Sequence, residues 1–209
     1  MKNSYSNIFP ISKKTLNKAK GLLTKESLVA LPTETVYGLA GNAYSVAAVK
    51  KIFNLKGRPA SNPLIIHYYN IEKALDDIVI NNNFKKLYKK FCPGPITFIL
   101  KKKKNSKIQT SANAKLKTVA VRFPKHKILR TILKNINFPL AMPSANKSSS
   151  VSPVCAQDVF DEFKKKIKFI VDGGQSKIGI ESTVIDLTNT PKILRPGSIT
   201  SSKIESILK

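Results

Sequence analysis

The sequence predicts an α/β protein with one mixed, twisted β-sheet flanked by helices. Three observations predict it. Short apolar segments of strand length alternate with amphipathic helical segments through most of the chain. The 209 residues are about the length of one domain. The composition, 42% hydrophobic and 23% charged, allows a buried core and differs from that of a disordered chain. We therefore expect a single domain over residues 1–209.

Each predicted element rests on a local signal. Ser12 and Ser45 belong to a residue type that caps helix N-termini, and each precedes apolar residues at helical spacing. Pro93, Gly94 and Pro95 end a lysine-rich helix. The predicted helices are residues 12–25, 45–56, 84–91, 126–136 and 156–166. The predicted strands are residues 28–31, 64–68, 96–100, 118–123, 140–142, 169–171, 183–187 and 193–194.

Several classes of protein are excluded by the sequence. The longest apolar run in the motif-rich region, residues 96–100, is far shorter than the ~20 residues of a membrane span. Residues 1–11 lack the apolar centre of a secretory signal peptide. Cys92 and Cys155 are far apart and form no CxxC pattern, which argues against a disulfide framework and a cysteine zinc site. We expect a cytoplasmic protein with two free thiols and no membrane span.

The net charge is strongly positive: 37 basic minus 12 acidic residues give +25. Such a field attracts polyanions, so it favours nucleotide or RNA partners without choosing between them. The lysine runs at 101–104 and 164–166 are expected to be solvated.

Arginine is scarce in this sequence, and its planar guanidinium fork is not interchangeable with the ammonium group of lysine. Three of the four arginines, Arg58, Arg122 and Arg195, lie next to Pro or Phe-Pro at the ends of extended segments.

Five polar clusters each follow a short predicted strand, whereas the GxxxxGK[ST], GxGxxG and HExxH signatures are absent. Ligands of α/β sheets gather at strand ends. Hydroxyls, amides and cations with few carboxylates suit a polyanion such as the phosphates of a nucleotide. The same residue types also form turns and caps, but five clusters holding three scarce arginines favour a binding site. The clusters are residues 32–38, 56–62 with His67, 118–122, 144–146 with 148–152, and 181–183 with Arg195.

Seven blocks of residues resemble the YrdC/TsaC family, the threonylcarbamoyl-AMP synthases, in the family's order. Leu31–Leu39 is similar to the family signature, Lys56–Leu64 to its K-x-R segment and Ser144–Asn146 to its S-x-N segment. The resemblance covers roughly residues 12–200. It departs at Ser148–Ser149, where the family commonly has Ser-Gly, and the chain is similar to the short, single-domain form of the family. The remaining blocks are residues 93–97, 119–122, 181–184 and 195–197.

The resemblance implies a YrdC-like fold with a positively charged cleft and an enzymatic activity. L-threonine, bicarbonate or CO2, and ATP would be joined into threonylcarbamoyl-AMP with release of diphosphate, for threonylcarbamoyladenosine modification of tRNA. N-carboxylated threonine would attack the α-phosphorus of ATP, so catalysis would consist of positioning and charge neutralisation. Mg²⁺ would be bound through the ATP phosphates and not by a protein-built site. The implied macromolecular partners are tRNA and the proteins that transfer the threonylcarbamoyl group.

The resemblance also assigns roles residue by residue. Lys56 and Arg58 are the implied catalytic residues, and Arg122 is the implied fork for the carboxylate of threonine. Without the resemblance, Thr35 is interpreted as a turn hydroxyl and His67 as a strand-end histidine bound to water. The implied ATP-binding residues are Lys56, Arg58, Asn62, Thr118, Ser144, Ser152 and Arg195. The implied threonine-binding residues are Thr35, His67, Arg122, Met142 and Ser182.

Two other functions stay open at this point. The first is a non-catalytic module that binds double-stranded RNA or tRNA, which the charge of +25 fits. Such a module should place aromatic side chains among its basic residues for base stacking, and the clusters contain only Tyr37 and Phe123. The second is a related carbamoyl-adenylate module that acts on a different acceptor, because packing shapes the acceptor pocket.

Overall fold

The structure is a computed structural model that describes residues 6–209. In this part of the chain there are six α-helices and ten strands. The helices are α1 (Lys13–Thr24), α2 (Val46–Lys56), α3 (Asn82–Phe91), α4 (Lys127–Lys134), α5 (Ala156–Phe163) and α6 (Ser201–Leu208). The strands are β1 (Ile8–Pro10), β2 (Val29–Leu31), β3 (Gly38–Asn42), β4 (Ile65–His67), β5 (Ile96–Lys101), β6 (Thr118–Arg122), β7 (Leu140–Ala141), β8 (Ile170–Asp172), β9 (Thr183–Asp186) and β10 (Lys192–Arg195).

The ten described strands form one sheet in the order β1-β8-β2-β3-β7-β4-β6-β5-β9-β10. Four neighbouring pairs are parallel, namely β1–β8, β8–β2, β4–β6 and β5–β9, and the other five are antiparallel. Most neighbours in the sheet are distant in sequence, so long connections bring loops from separate parts of the chain to the same strand ends. The predicted α/β class with one mixed sheet is confirmed.

Both predicted N-caps are present. Ser12 Oγ accepts a hydrogen bond from the Thr15 N–H at 3.0 Å, and Ser45 Oγ accepts one from the Ala48 N–H at 3.0 Å. Each bond satisfies a first-turn donor that has no partner within the helix. At its other end α2 stops at Gly57, whose φ of 59° is left-handed. Glycine adopts this conformation without a Cβ clash, and the chain leaves the helix there.

The sheet is covered by helices on both faces. In β2, Val29 and Leu31 pack in a cluster with α1 and α4, whereas Ala30 between them packs in a cluster with α5. This division follows from the alternation of side chains along a strand. A third and larger apolar cluster joins α2, α3 and α6 to β4, β5 and β6. The strand ends therefore project from a packed core.

Three elements were not predicted from the sequence: β1, β3 and α6. Strand β3 contains two glycines among its five residues and so lacks a strand pattern, yet it is paired on both sides, with β2 and with β7. The predicted helix 156–166 ends at Phe163, and Lys164–Lys166 forms a 3-10 turn. The predicted helix 126–136 is shorter in the structure, where α4 spans Lys127–Lys134.

Two sequence-level expectations concern membranes and thiols. The helices between residues 6 and 209 are all too short or too polar to cross a membrane. Cys92 and Cys155 are both free, as predicted, and each is partly buried.

Candidate active site

A cavity of about 220 Å³ lies where several loops meet at strand ends. Its lining includes side chains from each of the five polar clusters, so the prediction that these clusters converge is confirmed. Nine of the twelve predicted site residues line it: Thr35, Arg58, Asn62, His67, Arg122, Met142, Ser144, Ser182 and Arg195.

Arg122 ends β6 and is buried, opposite Thr97 of β5 and His67 of β4. Its Nη2 donates to Glu34 Oε1 at 2.8 Å. Its Nε is buried and has no hydrogen-bond partner within the described residues. A buried donor without a partner costs about 1–3 kcal/mol. An oxygen atom of a ligand in the cavity would satisfy it.

Glu34 was not singled out by the sequence analysis. Its Oε1 accepts from Arg122, and its Oε2 accepts from the N–H groups of Lys125, at 3.1 Å, and His126, at 3.2 Å, directly before α4. Burial raises the pKa of the Glu34 carboxyl, but the charge and hydrogen bond of Arg122 and the backbone N–H groups outweigh it and leave the pKa below its usual value. The carboxyl group is therefore ionised at neutral pH. The available signal was a lone carboxylate in a cluster otherwise made of uncharged residues.

Arg195, the last residue of β10, is held by the two residues directly before β9. Its Nη1 forms an ion pair with Glu181, and its Nε and Nη2 donate to the carbonyl of Ser182 at 3.1 and 2.9 Å. Burial, together with the charges of Arg122 and Arg58, lowers the pKa of Arg195 to about 10. Arg195 is thus repelled by two other guanidinium groups of the cavity lining, and an anionic ligand would relieve this repulsion.

The close contact between β10 and β9 depends on Gly197. A Cβ atom at this position would lie 2.4 Å from the Thr183 nitrogen and 2.7 Å from the Glu181 carbonyl oxygen. Two non-bonded atoms do not approach so closely, so only glycine allows the backbone after Arg195 to lie against these residues. The glycine therefore helps to keep Arg195 beside Ser182.

Arg58 differs from the other two cavity arginines because it has no carboxylate partner in the described part of the chain. Its Nε donates to the Asn62 carbonyl at 2.9 Å, and its Nη2 donates to Asn62 Oδ1 at 2.7 Å and to the Pro63 carbonyl at 2.9 Å. Neutral oxygens fix the direction of the guanidinium but do not compensate its charge. Arg58 is therefore the cavity arginine best suited to an anion such as a phosphate.

Two hydroxyl pairs line or support the cavity. Thr35 Oγ1 lies 2.8 Å from Thr33 Oγ1, and Ser182 Oγ lies 2.8 Å from Thr97 Oγ1. Thr33 Oγ1 also accepts from the N–H groups of Thr35 and Val36, which fixes the loop. Thr33 and Thr97 were missed by the sequence analysis. Thr97 was identifiable only from the strand register that places it opposite Arg122.

Lys56 is the first of three predicted residues that do not line the cavity. It is buried behind the loop Ser144–Asn146, where its Nζ donates to the Ser144 carbonyl at 2.6 Å and to the Asn146 carbonyl. Burial, together with the charge of Arg58, lowers the pKa of Lys56 to about 8. In this structure the ammonium group shapes the loop from behind.

Ser152 and Thr118 are the other two predicted site residues that do not line the cavity. Ser152 Oγ donates to Glu181 Oε1 at 2.9 Å and thus touches the cavity wall through this carboxylate. Thr118 lies at the opposite end of β6 from Arg122, a separation of four residues or about 13 Å along a strand. Their roles, like that of Lys56, stay predictions.

His67 ends β4, lines the cavity and is buried. Its Nδ1 lies 3.2 Å from the Ile65 carbonyl oxygen. Burial, assisted by the charge of Arg122, lowers the pKa of His67 to about 3. The imidazole is therefore neutral at physiological pH and offers the cavity a polar group without charge.

We expect the buried neutral state of His67 to reduce stability in acid. The pKa is about 3 in the folded protein and 6.5 in an unperturbed histidine, so the unfolded chain binds more protons between these values. The free energy of unfolding must then fall as the pH drops through this interval. His67→Gln should reduce this decrease in the free energy of unfolding, measured as urea midpoints from pH 7 to pH 4.

The control is His126→Gln, at a half-buried histidine whose pKa is also lowered by burial. It should reduce the decrease in stability less than His67→Gln does. An unchanged profile in His67→Gln would contradict a neutral buried His67.

Comparison with known proteins gives three close matches and a family. The family model Sua5_yciO_yrdC, described as "Telomere recombination", matches residues 21–197. The threonylcarbamoyl-AMP synthase of Pyrococcus abyssi is 45% identical over 193 residues, which cover 91% of this chain and 56% of that protein. That of Bacillus subtilis is 42% identical over 194 residues, with the same two coverages. The crystal structure of P. abyssi Sua5 complexed with L-threonine aligns with a TM-score of 0.92 at 42% identity, over 96% of this chain and 60% of that one.

The chain thus spans little more than half the length of these relatives. The matched region, residues 21–197, contains all twelve predicted site residues and the loops that line the cavity. The resemblance inferred from the sequence blocks is confirmed, and the sheet with its surrounding helices agrees with the solved relative. The chain belongs to the Sua5/YciO/YrdC family.

Proposed function

We propose that this chain is a threonylcarbamoyl-AMP synthase, which joins L-threonine, bicarbonate or CO2, and ATP and releases diphosphate. One observation carries the proposal: three arginines from separate parts of the chain surround one hydroxyl-lined cavity. Support comes from the longer relatives that bear this name and from the solved relative complexed with L-threonine.

Threonine is proposed to bind beside Arg122. Its carboxylate would accept a hydrogen bond from the buried Nε that has no partner among the described residues. The hydroxyls of Thr35 and Ser182 and the neutral His67 would supply uncharged polar partners, and Met142 an apolar wall. A pocket with these groups suits a small amino acid whose side chain has one hydroxyl and one methyl group.

ATP is proposed to bind between Arg58 and Arg195. The charge of Arg58 is not compensated by a carboxylate, so it is available to the phosphates. A phosphate oxygen near the Ser144–Asn146 loop would offer Lys56 an anionic partner in place of carbonyl oxygens. Lys56 and Arg58 are the proposed catalytic residues. The remaining proposed contacts to ATP are Asn62, Thr118, Ser144, Ser152 and Arg195.

The proposed reaction needs no protein nucleophile. A carbamate oxygen of N-carboxylated threonine attacks the α-phosphorus of ATP, a new O–P bond forms, the bond to the β-phosphate breaks, and diphosphate leaves. The cationic groups stabilise the charge on the phosphate oxygens. Between residues 6 and 209, no three His, Cys, Asp or Glu side chains are grouped to hold a metal ion. Mg²⁺ would therefore be held through the ATP phosphates.

A non-catalytic RNA-binding module is less well supported. Tyr37 lies in a polar cluster and Phe123 directly follows one, and these side chains are 0% and 1% exposed. Neither is available to stack on a base. We propose tRNA as the destination of the product, transfer proteins as its users, a cytoplasmic location, and residues 1–209 as one domain; these proposals rest on the family.

The decisive experiment measures diphosphate release from ATP and Mg²⁺ in CO2-free buffer, with L-threonine and bicarbonate omitted in turn. Release is expected only when both are present, because the attacking carbamate forms from both. Equal release without threonine would contradict the proposal. Release with another acceptor but not with threonine would favour the related carbamoyl-adenylate module. Retention of tRNA without any diphosphate release would favour the RNA-binding module.

A further inference from the structure

Glu34 uses both carboxylate oxygens and joins three segments of the chain. Its Oε1 accepts from Arg122 Nη2 at 2.8 Å, and its Oε2 accepts from the N–H groups of Lys125 and His126 at 3.1 and 3.2 Å. Its backbone carbonyl also accepts from the Ile178 N–H at 3.0 Å, in the segment that leads to the cavity wall. Glu34 is 8% exposed, so these contacts are shielded from water.

Arg122 depends on this carboxylate for its orientation. Glu34 Oε1 is the hydrogen-bond acceptor that the described residues offer to its guanidinium, and Nε is buried without a partner. An arginine side chain has several rotatable bonds, and its planar fork binds a carboxylate well only when it is held in one direction. The other two cavity arginines each have several hydrogen bonds: Arg58 donates to Asn62 and Pro63, and Arg195 donates to Ser182. Arg122 has one.

We propose that Glu34 is a positioning residue for the amino-acid substrate: it holds Arg122 so that the donors not used by Glu34 face the substrate carboxylate. This inference rests on the proposed function and deepens its threonine side. Glu34 does not line the cavity, so its proposed effect on the substrate passes through Arg122. Because Glu34 is also bound to the chain directly before α4, the guanidinium is fixed relative to that helix as well as to β6.

Glu34→Gln tests the proposal with almost no change of volume. A glutamine has one accepting oxygen and one donating NH2 group, whereas Glu34 faces N–H donors at both oxygens. Whichever way the amide points, one donor meets another donor. Either Arg122 or the chain before α4 must then lose its partner and shift.

The matched control is Asp77→Asn. Asp77 is a buried carboxylate outside the cavity that accepts from three hydroxyls, those of Tyr44, Tyr68 and Ser106. We expect Asp77→Asn to lower the stability of the protein while leaving the KM for threonine and the KM for ATP within about twofold of the wild type. Glu34→Gln should raise the KM for threonine at least tenfold and leave the KM for ATP within about twofold.

A double-mutant cycle separates positioning from a general structural role. Since Glu34 acts through Arg122, adding Glu34→Gln to Arg122→Gln should raise the KM for threonine by less than threefold beyond Arg122→Gln alone. If Glu34→Gln fails to fold, Glu34→Asp keeps the charge but shortens the reach, and it should raise the KM for threonine with the KM for ATP unchanged.

The outcomes distinguish this inference from the proposed function. If calorimetry detects no L-threonine binding to the wild-type protein and diphosphate release does not depend on threonine, the proposed function fails. If the wild type binds and uses threonine and Glu34→Gln does so equally well, the positioning role of Glu34 is wrong. Equal increases in both KM values, or full additivity in the cycle, would also overturn it.

Discussion

Arg58→Lys should lower diphosphate release from ATP roughly 10- to 100-fold, although the net charge stays at +25. The expected loss corresponds to about 1.5–3 kcal/mol for a charge-assisted contact made by a planar fork. In the structure, Nε and Nη2 of Arg58 bind Asn62 and Pro63 in a geometry that a lysine ammonium cannot reproduce. The lysine in the variant is therefore not held in one direction by Asn62 and Pro63. Its ammonium group also lacks the planar fork that binds a phosphate through two hydrogen bonds. Initial rates at varied ATP with saturating threonine and bicarbonate provide the measurement.

The control replaces Lys101–Lys104 by glutamine and removes four positive charges. Lys101, Lys103 and Lys104 are exposed, and the run lies outside the cavity lining. Exposed charges are screened at moderate salt, so activity at saturating ATP should stay near the wild-type value. Non-specific RNA binding should weaken and depend less on salt. If Arg58→Lys kept the wild-type activity and the glutamine variant lost it, the proposed ATP site around Arg58 would be wrong.

Gly197→Ala should lower activity at least tenfold and also lower the melting temperature. The added methyl carbon would lie 2.4 Å from the Thr183 nitrogen and 2.7 Å from the Glu181 carbonyl oxygen, so the chain after Arg195 must move away. Overpacking of this kind costs about 1–3 kcal/mol. The movement would pull the Arg195 guanidinium from the Ser182 carbonyl. Activity assays and thermal unfolding monitored by circular dichroism measure the two effects.

The same substitution in an open position provides its control. Gly21 lies inside α1, and a Cβ atom there would meet no atom within 4 Å apart from its own chain neighbours and the nearby backbone of the helix. Gly21→Ala should raise stability by about 0.5–1 kcal/mol, because alanine loses less backbone entropy in a helix. Its activity should equal that of the wild type. A Gly197→Ala variant that behaves like Gly21→Ala would show that the close contact is unimportant.

The sequence by itself determined the elements whose signals are local. Ser12 and Ser45 cap their helices because the cap bonds form within three residues, so the residue type and the following apolar spacing suffice. It also determined that the polar clusters converge, since ligand-binding loops gather at strand ends of an α/β sheet. Nine of the twelve predicted site residues indeed line one cavity.

Only the tertiary structure decided which side chains hold one another. The pair Glu34 and Arg122 is separated by 88 residues, and the pair Thr97 and Ser182 by 85. Each pair joins a strand residue to a loop residue far away in sequence, and no local preference encodes such a contact. The position of Lys56 behind the Ser144 loop has the same origin, because its carbonyl partners lie some 90 residues away. The residue types therefore indicated the chemistry of the site, whereas long-range packing determined which partner each charged group contacts.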